Sequence, residues 1–185
     1  MTTRSPERAR PAGPPRRLGA RTRRAVLITH IASAGAWLGV DVAMAVLVAT
    51  AWTTDDPGTL VFTLQALELV TVWPLLGCGL LCLASGIVLG LGSKWGLVRY
   101  WWVAVKLVLN LVLTALVLIL LQPEVAEQAD RARRLAAGEP VTFDLGNLIF
   151  PPIVSPTLLL VAMTLSVVKP WGRIRRRGPA APAGG

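Results

Sequence analysis

The sequence predicts an all-α fold, a polytopic membrane helix bundle of about four transmembrane helices with both termini in the cytoplasm. Three observations predict it. The 185-residue chain is 54% hydrophobic, with a mean hydropathy of +0.59, against about 45–50% apolar residues in a soluble domain. The apolar residues gather into a few long blocks almost free of charge. The charges crowd into the two tails and one loop, and their arginine content alternates along the chain.

Residues 1–24 are rich in Arg, Pro and Gly and carry no apolar periodicity. They read as a disordered basic tail. The apolar stretch that follows, Ala25 to Trp52, exceeds the about 7–15 residues of a signal-peptide core. It is the first predicted span, 25–52, and it carries His30 and Asp41. The TTDDPGT segment breaks the helix. A second span is predicted over 60–92, with Glu68 as its charge and a kink at Pro74. After the short basic link SKWGLVRY, a third span covers 101–121 and holds Lys106 and Asn110.

Residues 122–147 form a polar extracytoplasmic loop with a short solvated helix predicted over roughly 124–137. Pro123 suits its first turn and Gly138 its end. Glu127 with Arg131, and Asp130 with Arg134, are acid-before-base pairs four apart. The fourth span, 148–169, contains Pro151, Pro152 and Pro156. Two outcomes are open there: Pro156 kinks the span, or Ser155 caps a shorter helix with Pro156 in its first turn. The transmembrane domain thus covers 25–171, and residues 172–185 are a second disordered basic tail.

Orientation follows from Lys and Arg. The N-terminal tail has eight Arg, the first turn none, and the second link Lys94 and Arg99. The third link has three Arg against five acids, and the C-terminal tail has Lys169 and four Arg. This pattern also explains the net charge of +9. Basic residues flanking apolar blocks point to anionic lipid headgroups as partners, not to nucleic acid, for which no recognition motif is present.

The stretch TH-IASAGAWLG in the first span and the run KWGLVRYWWVAVKLVLNLVLTALVLILLQP resemble a family of small bacterial integral membrane proteins described only as a domain of unknown function. Its members have a His-bearing first helix, a Trp-Gly link and a Trp-Val…Lys helix. The resemblance covers roughly residues 25–122, is most specific from Trp95-Gly96-Leu97 to Lys106, and fades in the fourth span. It implies a four-helix membrane fold, a bacterial cell membrane and no known activity. A looser likeness is to copper-resistance and b-type cytochrome membrane domains.

Charged groups at mid-membrane cost at least ~2.5–3.5 kcal/mol, so His30, Asp41, Glu68 and Lys106 require partners. His30 and Asp41 are eleven residues apart. They share a helix face and lie roughly 16 Å apart in depth. The expected arrangement is two polar layers: Asp41, Glu68 and Gln65 outermost, and His30, Lys106 and Asn110 nearer the cytoplasm. Such an intramembrane polar cluster serves either as interhelical glue or as a proton relay or cation site. Lys106 could instead snorkel to the interface.

Cys78 and Cys82 share a face, and with Met44 and Met163 they are the candidate soft ligands for copper. Cysteines four apart on one helix do not meet disulfide geometry. Bis-histidine haem needs a second histidine that this chain lacks. No metal or other cofactor is therefore expected. No phosphate loop, nucleophile elbow or zinc-protease motif occurs, so no enzyme activity is expected either. The pairs Gly35/Gly39 and Gly86/Gly90 are expected to let helices approach closely. The tryptophans are expected to form an interfacial belt, with Trp37 and Trp73 deeper.

These readings favour a membrane protein with a structural, assembly or partner role, acting with a second copy or another membrane protein. The alternatives are a small proton-coupled transporter or a copper- or haem-linked redox protein. The orientation is directly testable. Alkaline phosphatase fused after Gly185 is expected to be inactive in intact bacteria, and the same enzyme inserted after Asp55 active; the reverse pattern overturns the orientation.

Overall fold

The computed structural model describes residues 19–92 and 100–168, and every regular element in it is helical. The elements are α1 (Ala20–Thr53), α2 (Pro57–Leu91), α3 (Trp101–Leu116), α4 (Gln122–Ala136) and α5 (Pro151–Val168). A π-helical turn, Val117–Leu121, joins α3 directly to α4, so Trp101–Ala136 runs as one rod; a 3-10 turn, Gly146–Ile149, precedes α5. Four helices are long and apolar enough to cross a membrane. They alternate in direction, which puts the start of α1 and the end of α5 at the same end of the bundle. We call this the tail end, and the opposite one the loop end. The basic tails at 1–18 and 169–185 and the link 93–99, with its Trp95-Gly96-Leu97 motif, Lys94 and Arg99, lie outside the described residues.

The helices begin earlier than the apolar blocks suggest. The first starts at Ala20, not at residue 25, because Arg21, Arg23 and Arg24 are good helix formers and cost nothing outside the hydrocarbon. The second starts at Pro57. Asp56 caps it by accepting from the Thr59 amide at 2.7 Å, and Pro57 occupies the first turn, where its missing N–H is not needed. The contacts with Thr59 hold the Asp56 carboxyl below the usual carboxylate range. Residues read as a turn are therefore a helix start.

The fourth span begins at Pro151, with Pro152 in the first turn and Pro156 inside the helix. Ser155 is not its cap; its hydroxyl turns to α1.

At about 1.5 Å per residue, the 34 residues of α1 and 35 of α2 are each roughly 50 Å long, against about 30 Å of hydrocarbon. The excess projects at the loop end, and there α4 lies along the first half of α2. Val125, Gln128, Ala129 and Ala132 are buried, so α4 is no solvated surface helix. The small alanines let its backbone lie close to α2.

The connection after α4 is also tied down. Gly138 terminates the helix in the left-handed conformation, φ 85°, Arg131 donates to the Thr142 carbonyl, and Gln128 to that of Asp144. The predicted Glu127–Arg131 pair forms. The predicted Asp130–Arg134 ion pair does not form: Arg134 pairs with Glu139 at 2.7 Å, and Asp130 lies 3.7 Å from Arg133. The link to Glu139, reinforced by Asp130, raises the Arg134 pKa.

The core runs along the bundle axis through Trp37, Met44, Leu67, Leu75, Leu113 and Val117. Large apolar residues such as Ile28, Leu69, Trp73 and Ile119 face outward, as expected of surfaces solvated by lipid. Trp37 is 0% exposed and Trp73 is 71% exposed.

The glycine that governs close approach is Gly79, not Gly35 or Gly39, which face open space. A Cβ at Gly79 would stand 2.8 Å from the Trp37 ring and 2.8 Å from Thr114 Oγ1, so α1, α2 and α3 meet there. Gly79→Ala is expected to cost about 1–3 kcal/mol by overpacking, whereas Gly77→Ala, at a position with open space, is expected to be neutral or slightly stabilising. Melting temperatures in detergent compare them; equal shifts would contradict the packing described.

Candidate functional site: the Asp41 node

Two contacts set the register of the α1–α2 hairpin. Trp37 meets Gly79, and His30 meets Gly86, seven residues further on along each helix. Asp41, four residues beyond Trp37, is therefore level with Leu75, and both line one cavity. From Arg24 to Asp41 is about 25 Å, so Asp41 lies within the hydrocarbon near the loop end.

Asp41 is 1% exposed. Its Oδ2 accepts from the Ser155 hydroxyl of α5 at 2.8 Å, and Ser155 Oγ in turn accepts from the Trp37 indole N–H at 3.1 Å. The chain Trp37–Ser155–Asp41 gives Oγ both a donor and an acceptor and staples α5 to α1. Asp41 Oδ1 is buried and has no hydrogen-bond partner among the described residues.

Asp41 also forms part of the wall of a laterally open cavity of about 180 Å³ lined by α1, α2, α3, the π-turn and α5. Apart from Asp41 and Ser155 the lining is apolar, with Met44, Leu75, Leu113 and Val117 at its inner side. At its outer side stand Leu120, Phe150 and Val154, which are themselves exposed, so the mouth opens laterally between the third rod and α5. The π-turn contributes Val117, Leu120 and Leu121. π-Turns are rare and concentrate at functional sites.

Glu68 does not join Asp41. It lies seven residues from Leu75 toward the loop end, roughly 10 Å from the level of Asp41. There Arg133 of α4 donates to Glu68 Oε2 at 2.8 Å, with the two side chains 49% and 37% exposed. Counting residues from a helix start puts the two carboxylates at equal depth; the hairpin register set by Trp37–Gly79 and His30–Gly86 separates them. Gln65 is exposed. The outer polar layer thus reduces to Asp41 alone among the predicted residues.

The predicted inner residues occupy one zone near the tail end, yet His30 and Lys106 bond to different partners. His30 Nδ1 lies 3.0 Å from the Cys82 carbonyl and 3.0 Å from Ser85 Oγ. A carbonyl only accepts, which assigns the hydrogen to Nδ1. This ties α1 to α2. Lys106 Nζ donates to Ser166 Oγ at 2.9 Å and sits 4.6 Å from the Trp102 ring centre, tying α3 to α5. Asn110 Oδ1 and Thr114 Oγ1, one turn apart on α3, are buried without partners among the described residues.

Cys82 Sγ lies 3.7 Å from His30 Nδ1. Among the described residues, no three His, Cys, Asp or Glu side chains converge as a metal-ligand group. Cys78 and Cys82 are free thiols.

Reading the sequence alone finds Asp41 but not Ser155, which reads as a cap because Pro156 follows it. It also misses Gly79. The available signal for Ser155 was its place among apolar residues of a span, where a hydroxyl requires a partner. No protein-family model, curated protein or solved structure matches the chain.

Proposed function

We propose that the chain is a multi-pass protein of the bacterial cell membrane with both tails in the cytoplasm. In this reading it catalyses no reaction and acts as a structural or assembly component alongside a second copy or another membrane protein. The family likeness of residues 25–122 is part of the proposal. The observation that carries it is how the intramembrane polar groups are used. Trp37 and Asp41 link α1 to α5 through Ser155, His30 links α1 to α2, and Lys106 links α3 to α5. Polar groups committed to holding helices together in lipid are glue.

The proton-coupled reading keeps a narrower basis. Its pair of carboxylates is divided, since Glu68 faces Arg133, but Asp41 Oδ1 is unpartnered. Purified protein in liposomes with an internal pH-sensitive dye separates the two readings. Under an imposed pH gradient, the structural reading expects proton leak indistinguishable between the native chain and Asp41→Asn. A leak at least five-fold faster in the native chain would overturn it in favour of proton transport.

A further inference from the structure

We infer that the Asp41 cavity is a binding site for a small lipophilic amine taken up laterally from the membrane. A cavity of about 180 Å³ exceeds the roughly 150 Å³ apolar cavity that accepts benzene in an engineered protein. It therefore accommodates one aromatic ring with a short substituent. Its lining is apolar but for Ser155 and Asp41. The one O–H of Ser155 is committed to Oδ2, and its oxygen accepts from Trp37. One acceptor is left, Asp41 Oδ1, in a side chain 1% exposed.

An orphaned carboxylate oxygen in hydrocarbon is costly, and the group that satisfies it best is a cationic N–H donor. The opposite chemistry, an anion, meets only repulsion here. A neutral hydrocarbon would fill the volume and leave the oxygen as it is. The intramembrane cation of α3, Lys106, lies seven residues from the cavity-lining Leu113 and is committed to Ser166 and the Trp102 ring, and the loop-end Arg133 is held by Glu68.

A path from the lipid into the cavity is also present. The mouth lies between Leu120 on the third rod and Phe150 and Val154 on the α5 side, all exposed. A lipid-dissolved amine arrives there ring-first or head-first without crossing the aqueous loop end. Met44 stands in the wall beside Asp41. Its unbranched thioether has three rotatable bonds and adapts to a ligand at small cost; binding requires such a side-chain adjustment, because Oδ1 is buried. The π-turn residues Val117, Leu120 and Leu121 form part of the cavity wall at this level.

The probe is radiolabelled benzylamine, with toluene as the neutral isostere, on the full chain in nanodiscs at pH 7. Saturable binding of about one benzylamine per chain is expected, weakened at least ten-fold in Asp41→Asn, with no such preference for toluene. Leu113→Trp, which fills the cavity and leaves the carboxylate, is expected to abolish binding as well. It also serves as the second arm should Asp41→Asn fail to fold, as judged by circular dichroism and gel filtration. Benzylamine and toluene partitioning equally into native and variant protein, as into a groove occupied by a lipid acyl chain, would overturn the site, and so would the absence of saturable binding to the native chain.

Discussion

Asp41 sits where neither water nor lipid can offer it a hydrogen bond, and the protein meets that cost with one hydroxyl carried by another helix. The penalty for a carboxylate at such depth is several kcal/mol, comparable to the whole stability of a small domain. A side chain this expensive dictates its surroundings. Ser155 must come within 2.8 Å, and once there its own Oγ is oriented by the Trp37 indole. Trp37 in turn needs a flat place for its ring, and Gly79 supplies it by lacking a Cβ. Four residues on three helices are thus fixed by one charge-bearing group, and α5, the shortest span, is held by its hydroxyl as much as by its apolar face.

The second constraint is length. Helices of roughly 50 Å in about 30 Å of hydrocarbon leave a water-facing extension at the loop end. Its polar chemistry is of a different kind. Glu68–Arg133 and Arg134–Glu139 are partly exposed pairs, of the type worth about 0–1 kcal/mol each. What holds α4 to α2 is the apolar and small-residue face of Val125, Ala129 and Ala132. The π-turn sits at the junction between the two regimes, where the third rod passes from the core around the Asp41 cavity to the α2-facing surface of α4.

Much of this architecture was legible in the amino-acid order, and the gaps have physical causes. Block hydropathy locates four spans because nothing else in a 185-residue chain needs stretches so long and so free of charge. Gly138 and the Glu127–Arg131 pair were legible because helix ends and i,i+4 pairs are local. Glu68 was misplaced because its level relative to Asp41 depends on the hairpin register, which is set by the non-local contacts of Trp37 with Gly79 and His30 with Gly86. Ser155 and Gly79 matter for what they meet across the bundle, and no periodicity within their own helices encodes a partner 118 residues away for Ser155 or a ring for Gly79.

The claim on which the rest depends is that Asp41 and Ser155 are energetically coupled across the bundle. A double-mutant cycle with Asp41→Ala, Ser155→Ala and the combined variant, read as unfolding free energies in a single detergent or bicelle, measures this coupling and nothing else. Side-chain hydrogen bonds inside membranes couple by about 0.6 kcal/mol on average and up to about 1.7. A node between a carboxylate and its one donor is expected in the upper part of that range. Additivity within about 0.3 kcal/mol would contradict it.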